Sequence, residues 1–572
     1  IDLVQHPENP DILFAGMWER ARGLNYRRSG GPSSGVYKTV NGGDSWIELT
    51  NGLPQSDDVG RIGLTLCKSH PDVLYAIYDS QMDDDEDYSF MGIYKTINGG
   101  NTWHQTNDES LYGMNSRFGW YFGQIRVDPN NPDRVYGLGV DLVRTENGGD
   151  SWEVIAGYFN FDNIHVDHHA MVINENNGSI WIGNDGGLYK STTLGNSWNY
   201  YNNIPLTQFY AVNIDYSNPQ AIYGGTQDNG TNRFWNGNIG DWENILGADG
   251  FHTAIHPENS QVIYAEYQWG QLKRSNDHGE NWNAINEEFR FDRTNWSTPF
   301  IMDMNSPNIL YAGTYRVWKT ENGGNSWNTI SDDLTLGDDG SSFHTITTLD
   351  IHMQNEDLLL VGTDDGRVHL MDGEWNWTDI STGLPNRWIT QVEFDPFNES
   401  GIYVSCSGFR WDEPQPHVFY SSDLGNTWDN ISGDLPELPV NCLLADPDIP
   451  EQIVIGTDGG VFFTENRGEI WSVLGNGLPA VPVIDVKLHP ETRMLIAGTY
   501  GCSTFRTVLP LYQPGDPNQD GVINVLDIVL VVSIILDETI PSEIELSLSD
   551  LDGNNQVNVI DIVLLIEIIL SG

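Results

Sequence analysis

The chain has 572 residues and carries 81 acidic against 27 basic side chains, a formal charge of −54, and such a field repels phosphate backbones and anionic lipid headgroups. Nucleic acid and membrane surfaces are therefore poor partner candidates, and the longest apolar stretch, Ile528 to Leu536, is interrupted by Ser533 and falls far short of the about 20 residues a spanning helix needs. The 60 Gly, 27 Pro, 20 Trp and 24 Tyr indicate many short strands joined by tight turns, in a chain too long for one hydrophobic core. Four cysteines, Cys67, Cys406, Cys442 and Cys502, are too few for a disulfide scaffold and leave room for one or two bridges. The opening at Ile1, with neither Met nor a charged-then-apolar leader, reads as a processed or truncated form.

From the N-terminus onward one octapeptide recurs: TVNGGDSW at 39–46, TINGGNTW at 96–103, TENGGDSW at 145–152, STTLGNSW at 191–198, SNDHGENW at 275–282, TENGGNSW at 320–327, SSDLGNTW at 421–428 and TENRGEIW at 464–471. A worn copy spans Met371 to Trp377, and a segment of similar size around Asn232 to Trp242 lacks the box. The spacing has a turn logic. The Asp or Asn side chain bonds backbone two residues on, the Gly takes positive φ, and the Trp opens the next strand with a large apolar plate. Each box follows a strand such as GVYKT, and upstream lies a strand pair around an Asn-Pro turn, so each unit of about 45–55 residues is a four-stranded antiparallel meander, a period in the propeller range. Strand sets number ten full units and a partial eleventh, Val483 to Val508, that lacks its last strand.

These boxes resemble the Asp-box (BNR) repeats of sortilin-like and xyloglucanase-like propellers and of sialidases, over residues 1 to about 508. The resemblance implies an all-β propeller array, as one ten-bladed ring or as two seven-bladed rings with a boundary near 200–210 and blades missing before Ile1; the partial last unit and the abrupt start favour the tandem. It also implies that Asp277, Asp423 and their Asn equivalents are structural turns away from any ligand face.

Two kinds of chemical site stand out in the propeller region. In IHVDHHAMVI at 164–173, read as a strand, His165, Asp167 and His169 share a face that suits substrate binding, while His168 points the other way. Neighbours two apart can share a metal, whereas residues four apart on a strand lie about 13 Å apart and cannot, and no HExxH-like motif supplies the three protein ligands of a catalytic zinc. The acidic turns GNDGG, TQDNG and GADG supply Asp185, Asp228 and Asp249 as candidate catalytic carboxylates, since glycoside hydrolysis needs a carboxyl pair about 5–10 Å apart; Asp-Gly turns are also favoured hairpin turns in their own right. In the xyloglucanase resemblance the pair is two Asp, one from each ring. Trp120, Tyr121, Trp269, Trp388 and Trp411 are candidates for stacking on sugars. Phosphate loops, Ser-His-Asp order and nucleophilic Cys contexts do not stand out.

After a Pro/Gly linker, Tyr512 to Gly515, the segment DPNQDGVINVLD at 516–527 reads as a twelve-residue calcium loop, with Asp516, Asn518 and Asp520 at positions 1, 3 and 5, Gly521 at the turn, the Val522 carbonyl at 7, and Asn524 and Asp527 at 9 and 12. DLDGNNQVNVID at 550–561 repeats it through Asp550, Asp552, Asn554, the Gln556 carbonyl, Asn558 and Asp561, with Asn555 in place of the turn Gly. Two such loops, each followed by a helix, resemble a type I dockerin (residues 511–572), a small all-α module with two Ca2+ sites whose partner is a cohesin. The helical segments VLDIVLVVSIILDE and VIDIVLLIEIILSG are apolar nearly all round, more than about sixty residues bury alone. A cohesin-like domain, another copy of the protein or its own propeller is expected to cover them.

Together these readings predict a secreted, extracellular or cell-surface binding and assembly protein, with a propeller scaffold and a calcium-folded connector. A xyloglucanase-like glycoside hydrolase delivered to polysaccharide by its dockerin is the first alternative, and a sortilin-like peptide-binding ring the second.

Overall fold

The computed structural model describes all residues except 1, 24–25, 82–87, 158–163, 236–239, 342, 356, 374, 476, 510–513, 519–521, 537, 542, 555 and 572. Ten antiparallel four-stranded sheets and one three-stranded sheet follow one another along the chain. We number them as blades: 1 (Asp2 to Leu49), 2 (Val59 to Gln105), 3 (Gln124 to Ala156), 4 (His168 to Tyr201), 5 (Phe209 to Leu246), 6 (Gly250 to Ala284), 7 (Phe300 to Thr329), 8 (Ile346 to Asp379), 9 (Trp388 to Asn430), 10 (Val440 to Val473) and 11 (Val483 to Val508). A short extra hairpin, Ala21–Gly23 with Tyr26–Arg28, is inserted in blade 1. Beyond blade 11 come three helices, α1 (Val525–Ile535), α2 (Glu543–Ser549) and α3 (Val559–Ser571).

Burial explains why each blade is a graded meander. The second strand is apolar without alternation and buried on both faces, as in Leu74–Ser80, Leu358–Thr363 and Ile453–Thr457, because a neighbouring sheet lies against either side. The fourth strand, as in Asn328–Thr329 or Ser472–Val473, is short and exposed.

The chain divides into two compact units, Ile1–Leu206 and Thr207–Gly572. In the first, the innermost strands of blades 1 to 4 pack one on the next. In the second, the same contacts run from blade 5 through blade 11 and back to blade 5, so seven blades close into a ring. At the closing seam the Asp485 carboxylate of blade 11 accepts the Val212 amide of blade 5 at 3.0 Å, and Arg506 reaches Gln220 at 3.1 Å. Next to the seam, Arg493 of blade 11 forks onto Asp446 of blade 10, both almost fully buried, and donates to Asp448 at 2.7 Å.

The box turns differ in one detail from the sequence expectation. It is the first residue, Thr or Ser, whose hydroxyl accepts the amides two and four residues on, as Thr39 does from Asn41 and Gly43; the Asn or Asp reaches four on, as Asn41 does to Ser45 at 3.0 Å. The bare Cα of the last box Gly then lets the turn press on the preceding blade: a Cβ on Gly425 (φ +82) would sit 2.6 Å from Ile380. The four cysteines are free, three of them buried in separate seams, so the bridges that their number allowed do not form.

Candidate functional site

Three groups of side chains carry chemistry, and the tail is the most defined. In the second loop the carboxylates of Asp550, Asp552 and Asp561 place one oxygen each within 4.8 Å of one another. The twelfth-position residue of each loop is fully buried and ties the loop to its helix: Asp561 accepts the amides of Leu551 at 2.8 Å and Asn558 at 2.8 Å, and Asp527 accepts that of Asn524 at 2.8 Å. Asn524 returns the contact by capping α1 through the Leu526 amide, a reciprocal box that starts the helix at the loop's end. Asp516 is also fully buried, Asn518 donates its amide toward Asp527, and the Val522 and Gln556 carbonyls accept the side chains of Asn524 and Asn558. Asn554 donates to Asp552. Asp520, Gly521 and Asn555 lie outside the described residues. The donors are hard oxygens converging on one point, which suits calcium better than a softer metal. Outward from the loops, Val525, Leu526 and Val529 of α1 and Val559, Ile560 and Val563 of α3 are each half or more exposed, while Val531, Ile534 and Leu565 are buried.

In the first unit, the strand of blade 4 starts at His168, not at 164. Asp167 has φ +65, so alternation breaks just where the sequence reading assumed it. His169 and Asp185 nevertheless meet, Nε2 to Oδ1 at 2.6 Å. Asp167 lies close enough that burial, and then the Asp185 charge, push its carboxyl up to about 6. His165 turns its ring to the Val166 carbonyl. His168 is fully buried, both ring nitrogens lack hydrogen-bond partners among the described residues, and burial pulls its pKa to about 3, so it stays neutral. Over His169 stand Tyr121, ring centroids 5.1 Å away, and Phe122. Tyr121 is 48% exposed, and Arg20 lies over the neighbouring Trp120.

That aromatic turn rests on a group the sequence did not signal. Asp79 is fully buried; its Oδ1 accepts Asn115 Nδ2 at 2.7 Å, and the bare Cα atoms of Gly119 and Gly123 press on the carboxyl. Burial raises its pKa to about 7 against the hydrogen bonds and Arg61. The unfolded side chain ionises near 4, so the folded state holds the extra proton between about pH 4 and 7, and stability falls as pH rises through that window. Asp79→Asn is expected to flatten this dependence and to stabilise the first unit at pH 8 by about 2–4 kcal/mol, read as the pH profile of thermal melting; an unchanged profile would refute the assignment.

In the second unit Asp228 and Asp249 come together. Asp249 accepts the Asp228 amide at 2.6 Å on Oδ1 and Gln268 on Oδ2, so it is a clamp for the turn, while Asp228 sits at its tip with φ +58. Around them Tyr210 and Tyr500 both donate to Gln227, Trp269 stands edge-on to Trp296 at 5.1 Å, and Trp269 is 43% exposed. Asp185 belongs to the first unit and Asp228 and Asp249 to the second. Trp388 and Trp411 share a further patch, with Arg410 over both rings.

By sequence, no curated protein matches the chain. Among solved structures it is similar to a GH74 enzyme of Niastella koreensis (13% identity, 88% of this chain and 90% of that one, TM-score 0.31), to the GH74 xyloglucanase of Xanthomonas campestris (13%, 88% and 97%, 0.27) and to YCF48 of Cyanidioschyzon merolae (13%, 54% and 97%, 0.41). The family model for the dockerin type I domain matches residues 514–570. Such domains bind calcium and cohesins and belong to secreted or cell-surface proteins. The loops and helices behind the blades are a type I dockerin domain, carried on a β-propeller array.

Proposed function

We propose that this chain is a secreted assembly protein in which two calcium-folded loops anchor the propeller to a cohesin and leave the blades to bind a ligand. The supporting observation is the duplicated loop and helix, with Val525 and Leu526 at the start of α1 and Val559 and Ile560 at the start of α3, exposed by 63, 62, 65 and 55%. Burying such apolar pairs is the main gain available on association, so the favoured partner is a cohesin with an apolar face, ahead of a second copy or the propeller. Calorimetry of the full chain with type I cohesins in calcium is expected to show 1:1 binding, weakened at least about tenfold by Leu526→Asp combined with Ile560→Asp. Self-association that needs residues 511–572, with no cohesin bound, would sink this reading.

A glycoside hydrolase is the second reading. It is supported by the His169–Asp185 pair and the Asp228 turn, each beside exposed aromatic rings, since sugar sites pair carboxylates with stacking planes. Reducing-sugar release from a β-glucan, lost on Asp185→Asn or Asp228→Asn, would carry it; an inactive wild-type chain would remove it.

A further inference from the structure

The ring of the second unit repeats one contact at successive seams. The indole N–H of Trp282 donates to the Ile245 carbonyl at 2.7 Å, Trp327 to Ile285 at 2.6 Å, Trp377 to Ile330 at 2.8 Å, Trp428 to Ile380 at 2.9 Å and Trp471 to Ile431 at 3.1 Å. In each case the tryptophan opens the fourth strand of one blade and the acceptor closes the blade before it. From blade 7 on, the indole also packs on that acceptor's side chain and on the apolar residue four further along: Ile285 with Phe289, Ile330 with Leu334, Ile380 with Leu384, Ile431 with Leu435.

Leu474 is the next member of this series. Its amide donates to Val461 as those of Ile285, Ile330, Ile380 and Ile431 donate to Leu272, Val317, Val368 and Val418, and its companion four residues on is Leu478. Among the described residues, however, blade 11 has three strands, the last Thr504–Val508, and no indole reaches the Leu474 carbonyl. Where the ring would lie there is an open groove of about 130 Å3 lined by Val461, Leu474, Leu478, Leu495, Ala497 and Phe505, continuous with the core between blades 10 and 11.

We propose that this groove is a receptor for an extended, tryptophan-bearing segment of another protein, which adds as a fourth strand along Thr504–Val508 and seats its indole between Leu474 and Leu478. The occupied seams define the chemistry of the occupant: a strand to continue the ladder, an indole plate for the two leucines, and one N–H for the free end of the series. Each described strand is already paired in its own sheet, and residues 511–572 contain no tryptophan.

The test uses the full chain and a fluorescent peptide copying residues 324–331, GNSWNTIS, the strand that fills the equivalent slot of blade 7. Anisotropy titration is expected to give saturable binding, at least about tenfold weaker for the peptide with Trp327→Ala and lost in the Leu478→Arg chain. Melting curves, together with retained cohesin binding, establish that this chain is folded, and Ala497→Leu, which fills the floor of the groove, is the second variant and is expected to weaken binding as well. Equal binding of the two peptides, no binding, or binding untouched by both variants would overturn the proposal. So would a concentration-dependent dimer of the wild-type chain that Leu478→Arg dissolves, since the occupant would then be a second copy.

Discussion

Removing calcium is expected to unfold α1 and α3 and to abolish cohesin binding while leaving the blades intact. Three carboxylates of the second loop hold oxygens within 4.8 Å of one another, and without a cation like charges at that range oppose the fold. A bound cation would replace that repulsion with coordination, and two of the aspartates that would hold it also cap the helices: Asp527 and Asp561 accept the amides of Asn524 and Asn558. Metal binding and helix formation are therefore one event. Asp561→Ala removes a ligand and a cap together, and is expected to cost the second loop at least about 100-fold in calcium affinity. Hydrogen exchange of residues 525–571 with and without chelator reads the outcome. Protection that survives chelation would refute the coupling.

The largest expected loss of stability in the ring comes from Arg493→Ala. Arg493 and Asp446 are 4% and 1% exposed, and the guanidinium spans both Asp446 oxygens across the seam of blades 10 and 11. Deleting the arginine strands a buried carboxylate, a change that costs about 3–5 kcal/mol. Replacing both members, Arg493→Leu with Asp446→Leu, is expected to recover most of it, because the penalty belongs to the orphaned charge and not to the missing pair. Thermal melting of the two variants separates the cases: equal losses would show that the seam depends on the ion pair itself.

The blades were legible because the box couples local turn chemistry to a packing plate every repeat, so turn and core point the same way in TENGGNSW as in SSDLGNTW. Even the worn copy ending at Trp377 keeps the indole contact to Ile330. The three-stranded last blade was legible for the same reason, as a box that is missing. The dockerin domain was readable because the residues of each of its loops are local in sequence.

Sites assembled from residues distant in sequence were legible only in part. His169 and Asp185 were both singled out by composition, yet their pairing depends on the left-handed backbone at Asp167, a conformation that non-glycine residues adopt seldom and that period counting misses. Asp79 gave no signal at all, since its burial is made by Asn115, Gly119 and Gly123 of the connection to the following blade. The clamp of Asp249 on Asp228 and Gln268 likewise spans two blades, and no short window contains it.

The closure of blades 5 to 11 has a mechanical consequence. A row of stacked units frays from its outermost member, which is held on one side only. A closed circle has no outermost member, so detaching any blade requires two seams to part at once, and small openings near one seam reseal before they spread. Cleavage by proteases is therefore expected to start at loop tips within 207–509 and to leave the circle standing after the first cut.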